Sequence, residues 1–117
     1  MKSFYGKYVV AEQDGKANAN RDVQDSWETW TVVHKGTDKF AFKSYHGKYL
    51  VAETNGEVRA SRDVADQWET FVLEQLGNDV ALKTHHNTYL SADNSGSLMT
   101  KSTLGHDERF SIQCLDG

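Results

Sequence analysis

The sequence predicts an all-β domain of twelve short antiparallel strands arranged as three similar units, and three observations carry that expectation. The first is internal repetition at a period of about 40 residues. "RDVQDSWETW" at residues 21–30 returns as "RDVADQWETF" at residues 62–71, 41 positions later, and fades to "STLGHDERF" from Ser102. The second is that each unit reads as β four times over, with Gly- or Asn-centred turns between short alternating runs. The third is that no stretch holds a helical period for more than two turns, and with no proline anywhere the turns fall to Gly, Asn and Asp. A four-stranded unit of this size does not bury its own apolar face. Three of them most economically make a β-trefoil, in which six strands form a barrel and three hairpins cap one end.

The units run roughly 1–38, 39–78 and 79–117, and together they use the whole chain as a single domain. "FAFKS" and "VALKT" are the first strands of units two and three, ending at the turns "YHG" and "HHN". The second strands, "YLVAE" and "YLSAD", follow, and the turns "TNG" and "NSG" close hairpins onto "EVRAS" and "SLMTK". A loop, "RDVADQ" in unit two, leads to the fourth strand, "ETFVLEQ". In unit one Met1 aligns with Phe42, so its first strand is short or the chain was cut from something longer.

Comparing units sorts inside from outside. Leu50, Ala52, Val58, Phe71, Leu73 and their repeat-mates are expected in the core. Val51 is replaced by Ser91 in unit three, which places that position outward or at a margin. Val23, Val64 and Leu104 agree inside the loop and are expected to pin it from within. The duplicated phrase itself reads as scaffold. Trp27 and Trp68 are expected to pack over the barrel flank, while Glu28 and Glu69 hold backbone donors or the loop arginines, Arg21 and Arg62.

A formal net charge of −4 gives no general case for nucleic acid, and no apolar run approaches the ~20 residues of a spanning helix. The start, "MKSFYGKYVV", already contains repeat residues and so reads as domain rather than cleavable leader. Cys114 stands alone, so a reducing, cytoplasmic setting is expected. Nothing resembles a nucleophile elbow, a phosphate loop or a paired-carboxylate site, so no catalysis and no cofactor are expected. The adjacent His85 and His86 lack a third ligand at metal spacing, so no metal site is expected.

Two candidate surfaces remain. Lys7, Lys43 and Lys48 flank the first turn of their units beside His46, His85 and His86, whereas Asp22, Asp25, Asp63, Asp66 and Asp107 crowd the loops before the fourth strands. Local lysine–aspartate pairing would explain this, and so would a basic turn surface that meets an acidic partner. Tyr5 and Tyr45 occupy the same turns, and an aromatic face beside polar groups is what a shallow sugar site needs.

"SYHGKYLVAETNGEVRASRDVADQWETFVLE" resembles the repeat of the fascin-like β-trefoils, with its Gly-Lys-Tyr-Leu, Ala-Glu, Gly, Ala, Arg-Asp and Trp-Glu-x-Phe pattern. The resemblance spans essentially the whole chain and is strongest in units one and two. Unit three departs from it with Thr88 in place of the lysine and Asp107 in place of the tryptophan, and "KTHHNTYLSADNSG" is similar to hisactophilin-type trefoils. The resemblance implies a non-catalytic, monomeric binding module whose partner is the actin filament, met through the basic turns. The family also implies an alternative, an oligosaccharide-binding module of the kind attached to carbohydrate-active proteins. A third reading is an engineered or scaffold trefoil without a ligand.

Overall fold

Alternating apolar residues between turn formers give twelve strands, seen in a computed structural model that describes residues 1–112. Unit one contributes β1 (Lys2–Ser3), β2 (Tyr8–Ala11), β3 (Ala17–Arg21) and β4 (Thr31–Gly36). Unit two contributes β5 (Lys39–Lys43), β6 (Tyr49–Ala52), β7 (Val58–Arg62) and β8 (Phe71–Leu76). Unit three contributes β9 (Asp79–Lys83), β10 (Tyr89–Ala92), β11 (Leu98–Lys101) and β12 (Phe110–Ser111). One turn of 3₁₀ helix precedes each fourth strand, at Ser26–Glu28, Gln67–Glu69 and His106–Glu108. The architecture is the expected β-trefoil. Cys114 lies outside the described residues.

The barrel runs β4–β5–β8–β9–β12–β1 through antiparallel ladders. The hairpins β2–β3, β6–β7 and β10–β11 form the cap. Their turns chase one another around the pseudo-threefold axis. Ala60 N–H donates to the Gly15 carbonyl at 2.9 Å, Thr100 N–H to Gly56 at 3.1 Å, and Ala19 N–H to Gly96 at 2.8 Å. Buried backbone groups need such partners, and here each unit supplies them to its neighbour. Phe42, Phe71, Phe110, Leu50, Leu82, Leu90 and Val9 fill the core.

Two expectations about exposure are corrected. Val51 and Ser91 do not face outward; both are fully buried, as is Val10. The second strand of each unit is covered on one face by the barrel core and on the other by its own unit's 3₁₀ turn. Serine is tolerated there because its hydroxyl donates to the buried Glu108 Oε2 at 2.6 Å. The second correction concerns Leu73, which packs against the core, while its unit-one mate Val32 is 48% exposed. In unit two the start of β5 lies beside β8, with Lys39 opposite Val72 and Phe40 opposite Phe71. With β1 only two residues long, β4 pairs with β5 alone among the described residues. Among the described residues the barrel therefore has a seam, and Val32 stands on it.

Candidate functional site

The turn after each first strand is held from below by a buried hydroxyl. Ser3, Ser44 and Thr84 accept the amides of Tyr5 at 3.3 Å, His46 at 3.2 Å and His86 at 3.1 Å. The loop before each fourth strand is held by a buried carboxylate. Glu28 and Glu69 accept the amides of Asp25 and Asp66, each at 2.8 Å, closing a capping box on the 3₁₀ turn. Arg21 and Arg62 reach the other way, forking onto Glu12 at 2.9 and 3.0 Å and onto Glu53 at 2.8 and 2.7 Å. Only Arg62 also approaches its loop glutamate, with Nη1 3.9 Å from Glu69 Oε2.

These turns and loops alternate around the molecule as one belt of six segments. Within a unit the turn meets its loop through an ion pair, Lys7 with Asp22 and Lys48 with Asp63. Between units the loop meets the next turn through a clasp. Trp27 lies edge-on to His46, ring centroids 4.7 Å apart, and Trp68 lies the same way on His86 at 4.8 Å. His46 Nε2 reaches the Ala11 carbonyl of unit one at 3.0 Å, and His86 Nε2 reaches the Ala52 carbonyl of unit two at 2.9 Å. The third junction uses different chemistry at the same positions. The Tyr5 hydroxyl donates to Asp107, and this hydrogen bond is the main cause that raises the tyrosine's pKa. Beside it Phe4 stacks flat on His106, centroids 4.8 Å apart.

The belt places several expected residues differently. Trp27 and Trp68 are half-buried, each lying across a junction between units. His46 and His86 are not free turn histidines; they bind a neighbouring unit's backbone. Lys7 and Lys48 are not unpaired cations, and the basic turns and acidic loops are neighbours that neutralise each other. Lys43 stands 5.8 Å from the centre of the Tyr49 ring. Val23, Val64 and Leu104 do not pin their loops; they are 64%, 62% and 42% exposed, since the buried glutamates already anchor the backbone. His85 and Tyr45 remain exposed. The rings of His85 and His86 stand 5.7 Å apart at 75°, and no group of three metal-ligating side chains occurs among the described residues.

Two open grooves lie at the first two junctions. One, about 780 Å³, is lined by Asp25, Thr29, Lys43 and Tyr45. Its repeat-mate, about 700 Å³, is lined by Asp66, Thr70, Lys83 and His85. At the third junction Phe4 and His106 stack where these grooves open. The clasp was legible in principle, because its two partners change together: tryptophan and histidine in two junctions, aspartate and tyrosine in the third.

Removal of the half-buried Trp68 is expected to cost roughly 2 kcal/mol, about half the price of a fully buried aromatic. Because Trp68 touches His86 across a junction, Trp68→Ala and His86→Ala should couple by about 1 kcal/mol in a double-mutant cycle read by urea denaturation. Strict additivity would show that the clasp contributes nothing.

A search of curated proteins finds no match to this sequence. The family model for the fascin domain matches residues 4–112, all but a few residues at each end. With that match and the β-trefoil on which the belt is built, the chain belongs to the fascin domain family and is a non-catalytic binding module of that type.

Proposed function

We propose that this chain binds actin filaments, and that it does so through the exposed apolar side chains of the belt rather than through the lysines of its turns. One observation carries the reading. Of the seven exposed large apolar side chains among the described residues, six lie on the belt: Phe4, Tyr5, Val23, Tyr45, Val64 and Leu104. Exposed apolar residues scattered singly need no explanation. Here five of the six recur at repeat-equivalent positions, Phe4 with Tyr45 and Val23 with Val64 and Leu104, on segments that are already anchored without them. Aromatic anchors flanked by satisfied charges suit a protein surface, where a few central side chains dominate the affinity. Family membership supports the filament as the partner.

The ion pairs change the expected salt response. Lys7 and Lys48 are already neutralised in place, so filament binding should weaken only modestly between low and physiological salt. Tyr45→Ala and Val64→Ser should each weaken it about tenfold or more, the usual loss at a central contact. Co-sedimentation with filaments measures both. Absence of co-sedimentation, or binding unmoved by both substitutions, would refute the proposal.

The groove beside Tyr45 favours a second reading. It offers an exposed ring next to the Asp25 carboxylate, the Lys43 ammonium and the Thr29 hydroxyl, the set a sugar ring needs. Oligosaccharide affinity lost in Tyr45→Ala, without filament binding, would establish that reading instead.

A further inference from the structure

The groove at the second junction, about 700 Å³, differs from its repeat-mate in charge. Its floor is the outer face of β8, where Val72 and Glu74 point to one side because Phe71 and Leu73 pack against the core. β8 is laddered on both sides, and the two registers put Lys39 of β5 and Lys83 of β9 directly opposite Val72. Residues directly opposite one another in neighbouring strands share a face, so the lysines flank Val72 in one row across three strands. Two strand spacings set their backbones roughly 10 Å apart. Lys35 adds a third ammonium to the lining. None of these three forms an ion pair among the described residues, whereas Lys7 and Lys48 do. The repeat-mate groove has Lys43 as its one lining cation. Asp66 and Glu74 bring acceptor oxygens into the same space, and Val72 is half-buried between them and the lysines.

We propose that this groove binds an acidic oligosaccharide. The ammoniums of Lys39 and Lys83 pair with acidic groups on alternate sugars of the chain, and the Val72 side chain between them carries the apolar face of a ring. The Asp66 and Glu74 carboxylates accept ring hydroxyls. A ligand rich in both anions and hydroxyl donors matches a lining that has both cations and acceptors. A simple anion would meet the two carboxylates with nothing to donate to them. An acidic peptide matches the floor poorly. Extended peptides gain affinity from main-chain ladders, and β8 has both edges already paired, so the floor offers side chains alone. The volume falls in the range of small-ligand sites. This proposal goes beyond the sugar reading of the groove beside Tyr45: it concerns a different junction and a charged ligand, and it requires neither that reading nor filament binding.

The probe is trigalacturonate, titrated calorimetrically into the full protein, with galactotriose as its uncharged counterpart. Saturable binding of the acidic sugar is expected, weakening from low to physiological salt, and the neutral sugar should bind about tenfold more weakly or not at all. Lys39→Gln and Lys83→Gln should each weaken binding about tenfold, the loss of one charge-assisted hydrogen bond. Lys39 is exposed, so its variant keeps the fold. Lys16→Gln, at an exposed lysine of the cap, should leave binding unchanged. So should Tyr45→Ala, which removes the ring of the other groove. No saturable binding, equal affinity for galactotriose, or indifference to both lysine variants would overturn the proposal. Equally tight binding of triglutamate would assign the groove to an acidic peptide instead, and loss of binding in Tyr45→Ala would place the sugar at the other junction.

Discussion

Phe71→Ala is expected to lower stability by about 3–5 kcal/mol, the range for removing a large aromatic from a packed core. Phe71 is wholly buried, and its ring lies 5.9 Å from that of Phe42. The three units meet around this position, with Phe110 buried as its mate in unit three and Trp30 half-buried in unit one. A cavity here cannot collapse easily, because the surrounding strands are tied to one another by ladders on both sides. For a domain whose total stability is on the order of 5–15 kcal/mol, the variant should unfold at a far lower urea concentration or fail to accumulate folded. The unit-one substitution Trp30→Ala should cost less, because that ring is partly exposed and lies beside the seam. A loss at Phe71 below about 1 kcal/mol, or a larger loss at Trp30, would contradict the described core.

Gly96→Ala should be the most damaging substitution in the cap. The residue has φ +94°, and an added Cβ would come 2.6 Å from Asn20 Cβ and 3.2 Å from its Cα. Left-handed backbone costs an L-residue about 1–2 kcal/mol, and forced overpacking typically adds about 1–3. Asn20 cannot swing away, because the atoms in conflict are at the root of its side chain and the adjacent Ala19 amide is bonded to Gly96. The two repeat-mates provide graded controls. Gly15 has φ +93° and would meet Ser61 Cβ at 3.2 Å, whereas Gly56 has φ +92° and would meet only Thr100 Oγ1 at 3.5 Å. Losses should therefore rank Gly96, then Gly15, then Gly56, with Gly56→Ala near the backbone cost alone. Equal losses at all three would show that conformational strain, not close approach, sets the effect. Thermal or urea denaturation of the three variants decides between these outcomes.

Repetition let the sequence by itself determine the four strands of each unit and most of the core, because equivalent positions in equivalent units meet the same packing. Leu50 and Leu90, or Phe71 and Phe110, name the core simply by agreeing. The buried glutamates of the loops were also legible, since a Trp-Glu-Thr phrase kept in two units implies a local backbone task. What only the tertiary structure decided was everything that depends on a neighbour far away in the chain. Ser91 is buried because a 3₁₀ turn closes over it and Glu108 accepts its hydroxyl, whereas its difference from Val51 pointed outward. Val23, Val64 and Leu104 agree as a core would, yet they are exposed, because their loops are anchored through other residues. His46 and His86 read as surface histidines until the preceding unit's tryptophan and backbone carbonyl are brought to them. Val32 has the type of a core residue but, among the described residues, lies on a strand with one ladder instead of two. Periodicity reports which residues are equivalent; only the assembled barrel determines which of them have something to pack against.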